Sequence, residues 1–342
     1  MNRALLEILA CPKCQSPLDV REDGGHGTRV LSGLLTCEGC AVTYPIRDGV
    51  PRFVDDGSYA ASFGLQWNRF RTTQMDSMTG VGLSAERFYS ETGWTREWLR
   101  GKLVLDAGCG AGRFVEIAAE AGAHIVGVDL SSAVEAAAAN VARFPHADIV
   151  QASLYGLPFR RGAFDACYCI GVLQHTPDPQ RTLTSLPPVL KEGGRLSVVA
   201  YERRRWTRFQ TKYLIRPLTK RMPKPWLLGS IQWSMPVLFS VTEVLFRLPL
   251  VGRLFRFAIP VSNYTGEPRL SIRQRYRLAI LDTFDVLSPE FDYPQTAQDV
   301  LQTLGEVGMV NLHRRPAAGL TIAGTMSQVP CGVAHDSDMH AD

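Results

Sequence analysis

The chain has 342 residues, a formal net charge of +4 and an ordinary globular composition, 45% hydrophobic and 20% charged. That length allows two domains, or one with appendages, and a sizeable core. So mild a charge does not by itself point to a nucleic-acid partner. The average hides an asymmetry. Residues 201–262 hold twelve Lys and Arg against two Glu, a local +10, and everything else sums to −6.

Residues 1–54 read as a separate unit. They carry two CxxC pairs, Cys11-Pro-Lys-Cys14 and Cys37-Glu-Gly-Cys40. The chain has eight cysteines, and Met1–Ala10 lacks the apolar core of a signal peptide. An intracellular, cytoplasmic metal site is therefore expected rather than a disulfide framework. Cys11, Cys14, Cys37 and Cys40 supply four thiolates, the ligand set of a tetrahedral structural zinc with no open position. The 22 residues between the pairs exceed the usual spacing, and a hairpin tip at Gly24-Gly25-His26-Gly27 absorbs the excess. Unliganded buried cysteines and a redox CxxC are the other readings; nothing thioredoxin-like surrounds either pair. With Tyr44-Pro-Ile-Arg-Asp-Gly-Val-Pro51, the unit resembles the small zinc-binding activator that partners several tRNA and protein methyltransferases. The resemblance implies a supporting module without chemistry of its own, here fused to the remainder of the chain.

Residues 55–100 form a linker rich in aromatic and polar groups, notably Ser62–Phe70, Arg87-Phe-Tyr89 and Gly93-Trp94. Simple packing of two domains through these aromatics is one reading.

From 101 to 201 strand-like and helix-like runs alternate, the mark of a parallel sheet with crossover helices. The expected strands are Leu103–Ala107, His124–Asp129, Ala147–Gln151, Ala163–Cys169 and Leu196–Ala200. Helices are expected over Gly112–Ala121, Ala133–Ala142 and Thr182–Leu190. The first strand leads into Asp106-Ala-Gly108-Cys109-Gly110-Ala-Gly112. A strand, a glycine turn and a helix N-terminus make a pocket for a nucleotide-like ligand, because bare backbone and unpaired N–H groups face it. A dinucleotide fingerprint needs a third glycine at position 113, which is Arg113. A carboxylate at Asp106 sits poorly beside a pyrophosphate and suits the ammonium of a methionine moiety.

This turn resembles motif I of class I S-adenosylmethionine (SAM)-dependent methyltransferases. The resemblance implies an α/β fold with a seven-stranded, mostly parallel Rossmann-like sheet; the small zinc-ribbon-like unit precedes it, and a helical insertion, which the resemblance does not cover, interrupts it. It implies that Asp129, ending the second strand beside Leu130, accepts the ribose hydroxyls; capping the next helix is a compatible role. Ala152-Ser153-Leu154-Tyr-Gly-Leu-Pro-Phe159 resembles the adenine loop of the family. An Asp commonly stands where this chain has Ser153, so a hydroxyl or the Leu154 N–H would take over. Ile170-Gly-Val-Leu-Gln-His175 resembles the segment beside the transferred methyl in UbiE-like members. His175 is the candidate general base, against a reading as a loop-ordering or capping residue. Segments before the first strand often close over the SAM pocket in this superfamily, which makes Trp67, Arg87 and Tyr89 lid residues.

Residues 202–294 interrupt the fold as a basic and apolar insertion and acceptor-side cap. Arg203-Arg-Arg-Trp-Thr-Arg208 opens it, and an apolar stretch occupies 226–250. Pro236, Gln232 and Glu243 make that stretch a poor transmembrane helix. Basic residues, tryptophans and aliphatics together suit peripheral membrane contact through 203–256, or a lipid-like acceptor. Ordinary helices packed on the sheet are the alternative. Leu281–Pro289 and Asp292-Tyr-Pro294 read as a solvated loop, or as acceptor lining through Asp282, Asp285 and Tyr293. A helix over Thr296–Val307 and strands Met309–Arg314 and Leu320–Gly324 complete the core, 295–326. Residues 327–342 are expected to be disordered. The expected activity is methyl transfer to a small-molecule or lipid-like acceptor. An rRNA or tRNA base methyltransferase is the runner-up, and a non-enzymatic scaffold the third reading.

Overall fold

Two sheets carry the fold, and the computed structural model describes residues 1–54 and 59–328 of it. In the first, β1 (Leu18–His26), β2 (Arg29–Cys37), β3 (Thr43–Arg47) and β4 (Val50–Pro51) pair antiparallel in chain order. The β1–β2 register slips between Glu22 and Gly25, so the glycine run does accommodate the long gap between the cysteine pairs.

Short helices α1 (Ala61–Arg69), α2 (Asp76–Thr79), α3 (Leu83–Thr92) and α4 (Arg96–Leu99) lead to the second sheet. There β5 (Leu103–Ala107), α5 (Arg113–Glu120), β6 (His124–Asp129), α6 (Ala133–Val141) and β7 (Ala147–Gln151) alternate. Next come β8 (Phe164–Ile170), α7 (Pro179–Ser185) and β9 (Leu190–Ala200). After the insertion, α12 (Ala297–Glu306), β10 (Met309–Arg314) and β11 (Leu320–Met326) close the chain's described part. The strand order is β10-β11-β9-β8-β5-β6-β7; β11 runs antiparallel to both β10 and β9, and the remaining neighbours are parallel. Helices cover both faces. The central strands are therefore buried on both sides, which is why they read as short, near-continuous apolar runs.

The N-terminal sheet sits against one edge of the large one. Arg52 bridges to Gln151 of β7 in parallel, and Leu9 bridges to Phe159. Backbone hydrogen bonds Ala10 N to Pro158 O (3.0 Å), Arg160 N to Ile8 O (2.9 Å) and Phe53 N to Gln151 O (2.8 Å) seal the junction. Asp148 of β7 accepts from the Asn2 backbone at 2.7 Å and its amide at 2.9 Å. One apolar core runs through from Leu5, Leu9 and Leu35 to Leu105, Val126 and Phe159.

The insertion is helical: α8 (Thr211–Thr219), α9 (Lys224–Leu245), α10 (Gly252–Ala258) and α11 (Ile272–Leu287). It has its own apolar cluster, including Leu228, Ile231, Met235, Leu278, Leu281 and Phe284. Buried Arg216 of α8 donates to the carbonyls of Val286 and Pro289, each at 2.9 Å, and Thr219 donates to Leu287 O at 2.9 Å. These side chains satisfy carbonyls at and just beyond the end of α11, where partners within the helix run out.

Three local expectations change. Leu281–Leu287 is the last part of α11 and not a loop. Its start carries a capping box, Ser271 with Gln274, that marks a helix in the sequence. The helix expected over Thr182–Leu190 begins earlier, at Pro179, because Asp178 accepts from Arg181 N at 3.0 Å as its cap. It ends at Ser185, since Pro187 and Pro188 cannot continue it. Strand β9 starts at Leu190, running through Glu192–Arg195, with an irregular register against β8. For the expected disordered tail, Ser327 and Gln328 are described and 329–342 lie outside the described residues.

Candidate active site and metal centre

The C-terminal ends of β5, β6 and β8 open into a cavity of about 350 Å³. Its floor is the glycine turn: Gly108, Cys109 and Gly110 line it, with Asp129, Leu130, Leu154 and Ile170 around them. At Gly108 the backbone has φ +93°, and an added Cβ would lie 2.3 Å from a Val172 methyl. No side chain fits there, so backbone is what a ligand meets. Gly112 has a different task and is not part of the lining. An added Cβ would press on Val141 and Ala137 at 3.3–3.4 Å, so it lets α5 approach α6.

Asp129 is tied down. Its Oδ2 accepts from Gly110 N at 2.9 Å, and its Oδ1 accepts from Ser131 N at 2.9 Å and Ser131 Oγ at 2.7 Å. It thereby fixes the glycine turn and the start of α6 together. Its Oδ2, with one bond made, keeps a lone pair for a ligand hydroxyl.

Asp106 is 1% exposed and is not among the lining residues. Its Oδ2 is buried without any hydrogen-bond partner. Burial pushes its carboxyl up to about 8, partly offset by the Tyr168 hydroxyl. A carboxyl held in that way lacks a cation, and a ligand ammonium would supply one. Asp106 lies behind the lining, and it is the bare glycine turn with the Asp129 carboxylate beside it that fits SAM.

The opposite wall comes from distant segments. Tyr59, Phe63, Trp67, Arg71 and Gln74 precede the sheet, and Tyr264, Asp282 and Asp285 come from the insertion. Gln66 donates to Asp285 Oδ1 at 3.0 Å and Gln74 to Asp282 Oδ1 at 3.3 Å, so α1 and its following turn are fastened to α11. Tyr264 donates to Asp282, and Arg113 donates to Gln74 Oε1 at 2.6 Å. Burial, with Asp285 close by, raises Asp282 to about 6; burial and neighbouring Arg87 lower Arg113 to about 10.

His175 lines the same cavity and is 6% exposed. It packs between Phe63 (ring centroids 5.2 Å apart) and Tyr201 (5.5 Å). Its Nδ1 lies 3.1 Å from Phe291 O. A carbonyl only accepts, so Nδ1 donates, and in the neutral ring Nε2 is the nitrogen with the lone pair. That Nε2 is buried without a partner. His175 therefore both orders the loop at Phe291 and keeps one basic nitrogen free.

Of the lid residues, Trp67 and Arg87 line the cavity, and an added Cβ on Gly110 would meet the Trp67 indole at 3.1 Å. Tyr89 instead packs edge-on against Phe88 within the sheet-side core. Ser153 does not line the cavity; its Oγ accepts from Tyr155 N at 3.2 Å, capping a short turn. Tyr293 is 45% exposed and lies against Phe291, outside the cavity. Arg113, Tyr201, Tyr264 and Gln74 were not singled out from the sequence. Tyr201 follows the last parallel strand directly, a position that could have marked it.

In the N-terminal unit the four thiols converge. The sulfurs of Cys11, Cys14, Cys37 and Cys40 all lie within 4.8 Å of one another. Cys11–Cys40 is 3.7 Å and Cys14–Cys37 is 3.4 Å. Four sulfurs about 2.3 Å from one tetrahedral zinc would stand about 3.8 Å apart, so the cluster fits that ion with little adjustment. The remaining three described cysteines, Cys109, Cys167 and Cys169, are buried apart from it.

Comparison with known proteins agrees with this geometry. A family model described as a methyltransferase domain matches residues 105–198, and one described as Trm112p-like protein matches residues 2–49. The O-methyltransferase rstn1 of Aspergillus nomiae is 33% identical over 159 residues, 41% of this chain and 71% of that protein. A ubiquinone biosynthesis O-methyltransferase of Coxiella burnetii is 37% identical over 100 residues, 29% of this chain. The chain spans only 43% of that relative's length. Among solved structures, the magnesium protoporphyrin IX methyltransferase of Synechocystis with bound SAH matches 79% of this chain and 97% of its own. Its TM-score is 0.42 at 17% identity, too low for a shared fold to follow from it alone. Among the described residues no helix is long and apolar enough to cross a membrane.

Proposed function

The chain belongs to the SAM-dependent methyltransferase family, and from that premise we propose that it methylates a hydroxyl of a small-molecule or lipid-like acceptor held against His175. One observation carries this reading: the unpaired Nε2 of His175 shares a cavity with the glycine turn and Asp129. The relatives named O-methyltransferases support a hydroxyl as the acceptor group.

Asp106 and the Gly108–Gly110 backbone would hold the methionine end of SAM, Asp129 its ribose, and Leu130, Leu154 and Ile170 its apolar surroundings. When bound, SAM supplies a methyl group on a sulfonium, which is already a good leaving group. The protein's work is then alignment and exclusion of water. Phe63, Trp67 and Tyr201 close the acceptor side with aromatic rings. Asp285 and Asp282, anchored by Gln66, Gln74 and Tyr264, offer fixed acceptors for donor groups on the substrate. His175 Nε2 takes the proton of the acceptor hydroxyl, while the bond from Nδ1 to Phe291 O holds the ring in the tautomer that this needs.

The N-terminal unit, 1–54, acts as a zinc-stapled brace on the β7 edge, with 55–100 as linker and lid, 101–201 and 295–326 as the methyltransferase core, and 202–294 as the insertion. The insertion serves as acceptor-side cap and, through 203–256, as a membrane-contacting surface. Transfer of a tritiated methyl from SAM into cell extract tests the assignment. Label is expected in the organic-soluble fraction. Label confined to RNA or protein would overturn it.

A further inference from the structure

Helix α9 is the anomaly of this molecule. Its 22 residues extend about 33 Å. Leu227, Leu228, Ile231, Met235, Phe239 and Thr242 are buried, and they pack with α11, whose Asp282 and Asp285 line the acceptor cavity. The opposite stripe should be charged if water covers it. Instead it reads Trp226, Gly229, Ser230, Trp233, Pro236, Val237, Ser240, Val241, Val244, all exposed and none charged. Trp226 is 75% exposed and Trp233 is 87% exposed.

The neighbourhood extends that surface. Fourteen of the nineteen large apolar side chains exposed among the described residues fall between Trp206 and Phe257, among them Leu214, Leu218, Leu250 and Leu254. They are too concentrated for the scattered exposure that ordinary surfaces show. Cations stand at both ends of the stripe. Lys220 and Arg221 are exposed just before α9, and Arg253 is exposed on α10. Among the described residues none of these three has an ion pair, whereas Arg203, Arg204, Lys212 and Arg247 are matched to carboxylates.

We propose that the exposed face of α9, with the flanking α8 and α10, seats the protein on an anionic lipid surface. The proposal rests on the reading of the insertion as a membrane-contacting cap and names its surface, orientation and lipid class. An uncharged tryptophan-bearing helix face rimmed by unpaired Lys and Arg is what a headgroup boundary accepts: rings and aliphatics below, cations at the phosphates. A second copy of this chain fits the same face poorly, because it would bring Lys220, Arg221 and Arg253 against their own kind. Lying in the plane of the surface, α9 would put the bilayer one helix layer from the cavity wall at Asp282 and Asp285.

Flotation of the full, zinc-loaded chain tests this, with vesicles of phosphatidylcholine alone and of phosphatidylcholine mixed equally with phosphatidylglycerol. Co-flotation with the anionic vesicles only, weakened by salt, is expected. Trp226→Ser with Trp233→Ser should lower the bound fraction about tenfold or more. Lys220→Glu with Arg221→Glu should do so by about tenfold. All four positions are exposed, so melting temperature and SAM affinity should be unchanged. Failure of the wild type to float with either vesicle overturns the proposal. So does undiminished flotation of the tryptophan variant, or a dimer in sedimentation that this variant dissociates. SAM titration of the same samples reads the methyltransferase assignment separately: lost flotation with intact SAM binding sinks the surface and not the enzyme.

Discussion

The thiol cluster and the methyl-donor cavity both hang on tight turns, yet they draw on the chain over very different ranges. Four ligands for the metal come from two knuckles, 11–14 and 37–40, joined by one hairpin. The cavity gathers side chains from Tyr59 to Val286, and its acidic groups reach it from β6 and from the far-off α11. A closed local ligand set is self-sufficient and should fail all at once. A wall assembled from α1, the sheet edge and α11 should fail by degrees, one contact at a time.

The first way to break this comparison is at a thiol. Cys37→Ser should take bound zinc from one equivalent to none, since three thiolates do not complete the site. Because one apolar core joins this unit to the sheet, the melting temperature of the whole chain should fall with it. Metal analysis with calorimetry checks both; an unchanged Tm would mean that the brace is idle.

At the cavity, His175→Ala is expected to lower kcat by about 10²- to 10⁴-fold, the range for loss of a general base. SAM affinity should stay the same, because the ring faces the acceptor. Unchanged turnover would leave His175 only its bond to Phe291.

Asp106→Asn should weaken SAM binding by about 100-fold, as loss of one partner of a buried ion pair does. The same change should leave the ligand-free protein as stable or more so, since an orphaned buried carboxyl is removed. Loss of stability without loss of affinity would make Asp106 structural.

A pH series sharpens that result. Asp106 is raised from 3.8 to about 8 in the free protein. The folded chain therefore holds a proton there that the unfolded chain has released. That group's contribution to stability falls as pH rises from about 4 to about 8. To pair with an ammonium the carboxyl must give its proton up. SAM affinity should accordingly rise about tenfold per pH unit below 8 and level off above it, with a flat profile in Asp106→Asn.

The smallest effect is expected at Ser153. Its hydroxyl caps the turn at Tyr155, so Ser153→Ala should cost about 1 kcal/mol of stability and leave SAM affinity unaltered.

Much of this was legible in the sequence, for reasons that also explain the rest. Strands β5, β6 and β7 begin and end where short apolar runs do, because both of their faces are buried. The cysteine spacing pointed to the four thiols that converge. The glycine turn and Asp129 announced the donor side, since a bare backbone and a strand-end carboxylate are sequence-local features. The opposite wall was obscured because its residues break the local pattern. Asp282 and Asp285 interrupt the apolar period of α11 at i and i+3, which looks like a loop until a cavity is seen to lie against that face. Gln66 and Gln74 carry no signal of their own, because each matters only through a partner more than two hundred residues away. Tyr89 and Tyr293 had the composition of lid and lining residues; packing on Phe88 and beside Phe291 sends them elsewhere.

Calorimetric titration of the zinc-loaded wild-type chain with SAM, beside Asp129→Ala, is the direct test. One site per chain is predicted for the wild type, with binding abolished in the variant, whose glycine turn loses the acceptor for Gly110 N–H. A folded, metal-loaded wild type that gives no binding heat at any temperature tried would contradict the assignment of this cavity.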